Sequence, residues 1–115
     1  MTTPTTPEET LRVLAQGDAP VLETLAQMHL NTLERSGLDP RTYFLVRFAT
    51  LVAMDAAPVS YLLAFGTAED AGATVDDMRG TLAAVAPIVG SARVVSAAGK
   101  TIRALGLAEA IEESE

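Results

Sequence analysis

What most constrains this chain is its punctuation: helix-starting signals recur along nearly its whole length, each followed by an apolar run and closed by glycine. Thr6-Pro7-Glu8-Glu9 places a hydroxyl at the N-cap, proline at the first helical position and glutamate at the third, the pattern of a capping box. A short helix follows to about Gln16, stopped by Gly17. Asp18 opens the second, in which Leu22, Leu25, His29 and Leu33 recur at helical spacing until Ser36-Gly37. Asp39-Pro40 caps a third, running to about Asp55, and Pro58 begins a fourth, which Gly72 ends. Thr74-Val75-Asp76-Asp77 caps a fifth, with Met78, Leu82, Val85 and Val89 as its apolar stripe and Pro87 and Gly90 to end or kink it. A sixth carries Val94, Ala98, Ile102 and Leu105 and stops at Gly106.

Only Tyr43-Phe44-Leu45-Val46-Arg47-Phe48 suits a strand by composition. The Asp-Pro cap before it and the Ala-Thr-Leu-Val-Ala-Met continuation after it favour a helix. Aromatic residues are 4% of the chain, and the apolar volume comes largely from Ala, Leu and Val, which favours closely spaced helices over a β-sandwich. The length of 115 residues suits one domain that can bury a core without staples. The expected fold is therefore all-α, a compact bundle of about six short helices. Residues 1–6 read as a flexible N-terminal segment, 7–106 as a single helical domain, and 107–115, with Glu109, Glu112, Glu113 and Glu115, as an acidic C-terminal tail.

Charge and composition exclude several functions. The net charge of -7, from 8 basic and 15 acidic residues, repels phosphate backbones, so nucleic acid is not an expected partner. There are no cysteines, which removes thiol, disulfide and thiolate-metal chemistry and fits a cytoplasmic protein. Met1 to Pro7 hold threonine and proline without a basic or apolar block, so no signal peptide is read there. The most apolar stretch, Phe44 to Phe65, is interrupted by Arg47, Asp55 and Pro58, so no membrane partner is expected. Gly90-Ser91-Ala92-Arg93 is too short for a phosphate loop and lacks its lysine. Neither a cofactor nor a metal is expected. The third helix is apolar nearly all round, with only Arg47 and Thr50 clearly polar between Tyr43 and Met54. Such a helix must be covered on most faces, and a second subunit is the simplest cover.

Three patterns in order carry a family resemblance between Leu38 and Leu105: Leu38-Asp39-Pro40-Arg41-Thr42-x-x-Leu45-Val46, then Ala71-Gly72-Ala73-Thr74-Val75-Asp76-Asp77-Met78, then Ala86-Pro87-Ile88-Val89-Gly90-Ser91-Ala92. Their order and spacing resemble the carboxymuconolactone decarboxylase and alkylhydroperoxidase-D-like family. The third departs from the family's aromatic-x-Gly-x-Pro turn by lacking the aromatic and the second proline. The resemblance implies an all-α domain assembling as a homotrimer or homohexamer, with sites near subunit interfaces. It also implies Cys-x-x-Cys-x-x-x-His at the start of the helix before the glycine turn in the peroxidase branch, and the His alone in the decarboxylase branch. Counted back from Gly72, those cysteine positions fall on Ala57 and Ser60 and the His position on Ala64, and the usual acid of the preceding helix falls near Phe44.

Ala57, Ser60, Ala64, Ala68 and Ala71 then form a small-residue stripe, which reads either as close helix packing or as a small apolar pocket at the old site. The pocket reading makes Ser60, Ala64, Ala57, Arg47 and Arg93 substrate-binding candidates, with Tyr61 and Asp55 close by. Arg47, Tyr61 and His29 are the candidate catalytic groups. His29, the single histidine, reads as a hydrogen-bonded core or interface residue or as a general base. Arg47 reads as half of an ion pair, with Glu69 or Asp70 as partner, or as a bidentate carboxylate binder. Two functions follow. One is a non-catalytic or repurposed oligomeric member, a pseudoenzyme that binds a small apolar or carboxylated molecule. The other is a decarboxylase or lyase acting on a lactone or ring-cleavage product with a replacement acid or base.

Overall fold

The computed structural model describes residues 6–16 and 32–114, and among them the chain forms six helices and no strand. The chain divides into two units, Met1–Gly37 and Leu38–Glu115. In the first, α1 (Pro7–Gln16) starts where its capping pattern predicts, with the Glu9 amide donating to the Thr6 hydroxyl at 3.1 Å. A one-turn helix, α2 (Thr32–Ser36), ends at Gly37 with φ 71°. The cap expected at Asp18 and the stripe through Leu22, Leu25 and His29 lie outside the described residues.

The second unit is a four-helix core: α3 (Pro40–Met54), α4 (Pro58–Phe65), α5 (Val75–Val89) and α6 (Ser91–Ser114). At the head of α3 the Asp39 carboxylate accepts from the Thr42 amide at 2.9 Å and from the Thr42 hydroxyl at 2.8 Å, with Pro40 at the first helical position. The same segment disposes of the strand alternative, since Tyr43 to Phe48 are helical throughout. Phe44, Phe48 and Val52, spaced by four, form the buried face of α3. Tyr61 and Phe65 of α4 meet that face: Phe48 lies 6.2 Å from Tyr61 edge-on and 5.7 Å from Phe65. All three phenylalanines of this aromatic-poor chain thus sit in one cluster. Ala97, Thr101 and Ala104 are buried positions of α6, and the small alanine side chains let α6 lie close against α4. Met78 closes the core from α5.

Two helix ends differ from the sequence expectation. The fourth helix stops at Phe65 instead of reaching Gly72. Beyond it the bonds tighten to three-residue spacing, Thr67 N–H to the Ala64 carbonyl and Ala68 N–H to the Phe65 carbonyl, and the Thr67 hydroxyl also takes the Ala64 carbonyl at 3.1 Å. Turns then lead to Gly72, φ 78°. The last helix, by contrast, runs through Gly106 to Ser114. A glycine inside a helix costs about 1 kcal/mol relative to alanine, too little to end a long helix when the next residues also favour it. Pro87 neither breaks nor ends α5, which reaches Val89 two residues later. The apolar third helix is only partly covered within its own unit: Val46 and Met54 remain 50% and 70% exposed.

Candidate functional site

The corner between α3 and α4 gathers the polar groups. Its backbone is set by Asp55, which ends α3 at φ 50°, ψ 52°, the left-handed region where glycine is usual and Asp is among the few tolerated alternatives. The Asp55 amide donates to the Val52 carbonyl at 3.1 Å and the Ala56 amide to the Leu51 carbonyl at 3.0 Å, so the last turn of α3 is closed by two reversed bonds. This turn directs the Asp55 carboxylate toward α6. There Arg93, Ser96 and Lys100, at spacings of three and four, present one helical face.

Three side chains of that face bind the corner. The Ser96 hydroxyl donates to Asp55 Oδ1 at 2.8 Å, and Lys100 Nζ donates to the same oxygen at 3.0 Å and to the Ala56 carbonyl at 2.7 Å. The Arg93 guanidinium donates to the Ala53 carbonyl, one of the carbonyls left open at the end of α3. Together these groups hold the Asp55 carboxyl below its ordinary pKa, the Lys100 hydrogen bond first, then that from Ser96, then the Lys100 charge.

Beneath the corner lies Tyr61. It is fully buried, its ring lies 5.9 Å from Lys100 Nζ, and its hydroxyl has no hydrogen-bond partner among the described residues. Burial, and then the negative charge of Asp55, push the Tyr61 phenol above its ordinary pKa, which keeps it a neutral proton donor. The neighbouring turn of α6 holds a second buried hydroxyl in the same condition, Thr101.

The structure places the other sequence candidates around this corner or away from it. Ala57 is the exposed N-cap of α4 and supplies no side-chain cap, Ser60 is half-buried in the first turn, and Ala64 packs against the aromatic core. Ala68 and Ala71 lie in the turns after α4, so the small-residue stripe is not continuous on one helix; both still pack on the core. Arg47 is exposed, two helical turns before Asp55, and so about 12 Å along the axis from it. It donates to the Tyr43 hydroxyl and stacks over that ring at 5.2 Å, in place of the expected pairing with Glu69 or Asp70. Exposed to water, the guanidinium needs no counter-charge. His29 lies outside the described residues. Among the described residues no cluster of three or more carboxylate and imidazole groups gathers as a metal site.

Sequence reasoning missed Ser96 and Lys100. The signal that points to them is the sequence of polar residues at 93, 96 and 100 on a helix otherwise rich in Ala and Val, opposite an acid placed just before Pro58.

The model of the Carboxymuconolactone decarboxylase family matches residues 19–101 of this sequence. No curated protein and no solved structure matches the chain.

Proposed function

Because this chain belongs to the carboxymuconolactone decarboxylase family, we propose that it is a binding member of that family, an oligomer that holds a small apolar or carboxylated molecule without thiol peroxidase chemistry. One observation carries the reading. Where the resemblance puts two thiols and an imidazole, α4 and its N-cap have Ala57, Ser60 and Ala64. Ala64 packs against the core, and its methyl group can pass no proton. The cations of the corner, Arg93 and Lys100, are engaged by Ala53, Asp55 and Ala56, an arrangement suited to holding an anion more than to relaying protons. Peroxide reduction of the family's type needs a thiolate to attack oxygen and a second thiol to resolve the product, and the sequence has no cysteine.

Assembly as a homotrimer or homohexamer belongs to the same proposal. It is supported by apolar side chains left in solvent: Leu63 74%, Ile88 85%, Val95 71% and Ile102 72% exposed. The cytoplasm as compartment is likewise proposed, from the absence of cysteine in the sequence. No helix among the described residues is long and apolar enough to cross a membrane.

The buried Tyr61 hydroxyl favours a second reading, a decarboxylase or lyase acting on a lactone or ring-cleavage product with Tyr61 as the replacement acid. One assay separates the two. The purified chain is given carboxymuconolactone and, separately, an organic hydroperoxide with a dithiol reductant. The binding reading expects no turnover of either, and a gain of lactone turnover only on Ala64→His. Robust lactone turnover by the unmodified chain, lost in Tyr61→Phe or Arg47→Ala, establishes the second reading and names its acid or its anchor. General acid help is typically worth about 10²–10⁴-fold, so the loss is easily measured.

A further inference from the structure

The outward face of α6 is apolar where a solvent face is normally charged. Ala97, Thr101 and Ala104 turn toward the core. On the opposite side of the helix, at spacings of four, three and four, run Val95, Gly99, Ile102 and Gly106. Val95 and Ile102 are 71% and 72% exposed, and both glycines are exposed. Glycine is a poor residue inside a helix, and nothing within the separated chain calls for it here. Neither Gly99 nor Gly106 has a positive φ, and an added Cβ meets nothing within 4 Å at either. A second helix laid against this face does account for them, because glycine lets two backbones approach closely.

The order of the four residues says which helix that is. Valine, glycine, isoleucine, glycine is complementary to its own reverse. When a second α6 lies antiparallel, about a two-fold axis passing between positions 100 and 101, Val95 comes opposite the second copy's Gly106 and Ile102 opposite the second copy's Gly99. Each β-branched side chain then meets a gap. A parallel pair sets valine against valine and glycine against glycine, which leaves voids. Charge favours the same direction. No Lys or Arg follows Arg103, and the sequence of the last turns of α6 holds Glu109, Glu112 and Glu113. Antiparallel pairing brings the acidic end of each α6 level with the start of the other, at Ser91, where the helix dipole is positive and Arg93 adds its charge. Parallel pairing sets the two acidic ends side by side.

We propose that the outward face of α6 is a two-fold interface with a second copy of this chain, an antiparallel helix pair in which Val95 and Ile102 of each copy fill the gaps at Gly106 and Gly99 of the other. The proposal rests on the assembly reading above and narrows it. A two-fold pair occurs in a homohexamer built with two-fold axes and has no place in a cyclic homotrimer.

The lack of cysteine in the sequence makes the pairing directly testable. Copies carrying Val95→Cys are mixed with copies carrying Gly106→Cys, equilibrated under reducing conditions and then oxidised, with each variant alone as control. Disulfide-linked pairs are expected in the mixture and not in either variant alone. Gly99→Leu fills the gap and should weaken association by about 10-fold or more in sedimentation equilibrium, with helix content by circular dichroism unchanged. Links within each variant alone, without a preference for the mixture, overturn the antiparallel register. No links in any sample, or Gly99→Leu associating as tightly as the original, overturns the interface; if the original chain is still assembled, the assembly reading survives through another face. A 12.0 kDa species alone at micromolar concentration overturns both.

Discussion

Arg41 and Asp77, in the first turns of α3 and α5, meet as a two-pronged pair: Arg41 Nε lies 2.9 Å from Asp77 Oδ2 and Nη2 lies 2.5 Å from Oδ1. The same carboxylate accepts the Thr74 amide at 3.0 Å, while the Asp77 amide donates to the Thr74 hydroxyl at 3.0 Å. One side chain therefore completes a capping box and joins two helices.

This pairing predicts acid sensitivity. The Arg41 hydrogen bond first, then the Thr74 amide, hold the Asp77 carboxyl well below the usual range. Asp39 is lowered through the Thr42 amide and Asp55 through Lys100. A folded-state pKa below the unfolded value of 3.8 gives stability that is fully present above that value and lost as pH falls through the folded one. Melting temperature should thus be level near neutrality and fall below about pH 4. Circular dichroism melts across that range check it. In Asp77→Asn the fall should be shallower, and an unchanged slope would show that Asp77 is not its main source.

Gly90 and Gly99 should respond oppositely to alanine. Gly90 joins α5 to α6 at φ 89°, ψ 158°, a conformation that is essentially glycine's own. An added Cβ meets nothing within 4 Å at either position, so space does not decide the outcome. Gly90→Ala should lose about 1–3 kcal/mol to backbone strain. Gly99→Ala, inside α6, should gain about 0.5–1 kcal/mol. Urea unfolding of both variants measures the difference.

Phe48 is the centre of the aromatic cluster and fully buried. Phe48→Ala should cost about 3–5 kcal/mol, a large share of what a domain of this size has. Phe48→Leu should cost much less, because most of the volume remains. Equal losses in the two variants would mean that the site collapses around either side chain.

The proposed assembly is tested on α6. Ile102 is 72% exposed, and Ile102→Lys should leave the helix content unchanged while shifting light scattering toward the 12.0 kDa chain. A monomer in the unmodified chain at micromolar concentration would remove the assembly from the proposal.

The sequence by itself determined where helices begin. Thr6, Asp39 with Pro40, and Thr74 with Asp77 all act on residues within four positions, so their hydrogen bonds were legible before any fold was known. Which face of α3 is buried was not legible, because that helix is apolar nearly all round; packing selected Phe44, Phe48 and Val52. The tertiary structure alone decided what the polar side chains do. Asp55 and Lys100 are 45 residues apart, and Arg41 and Asp77 are 36 apart; nothing local distinguishes these partners from Glu69, Asp70 or Arg47. Where helices end was also decided by packing and turn geometry, since Gly106 is tolerated within α6 while α4 stops before Gly66. The difference is one of range: a cap is a contact along the chain, whereas a buried hydroxyl or an ion pair depends on which distant helix the core brings against it.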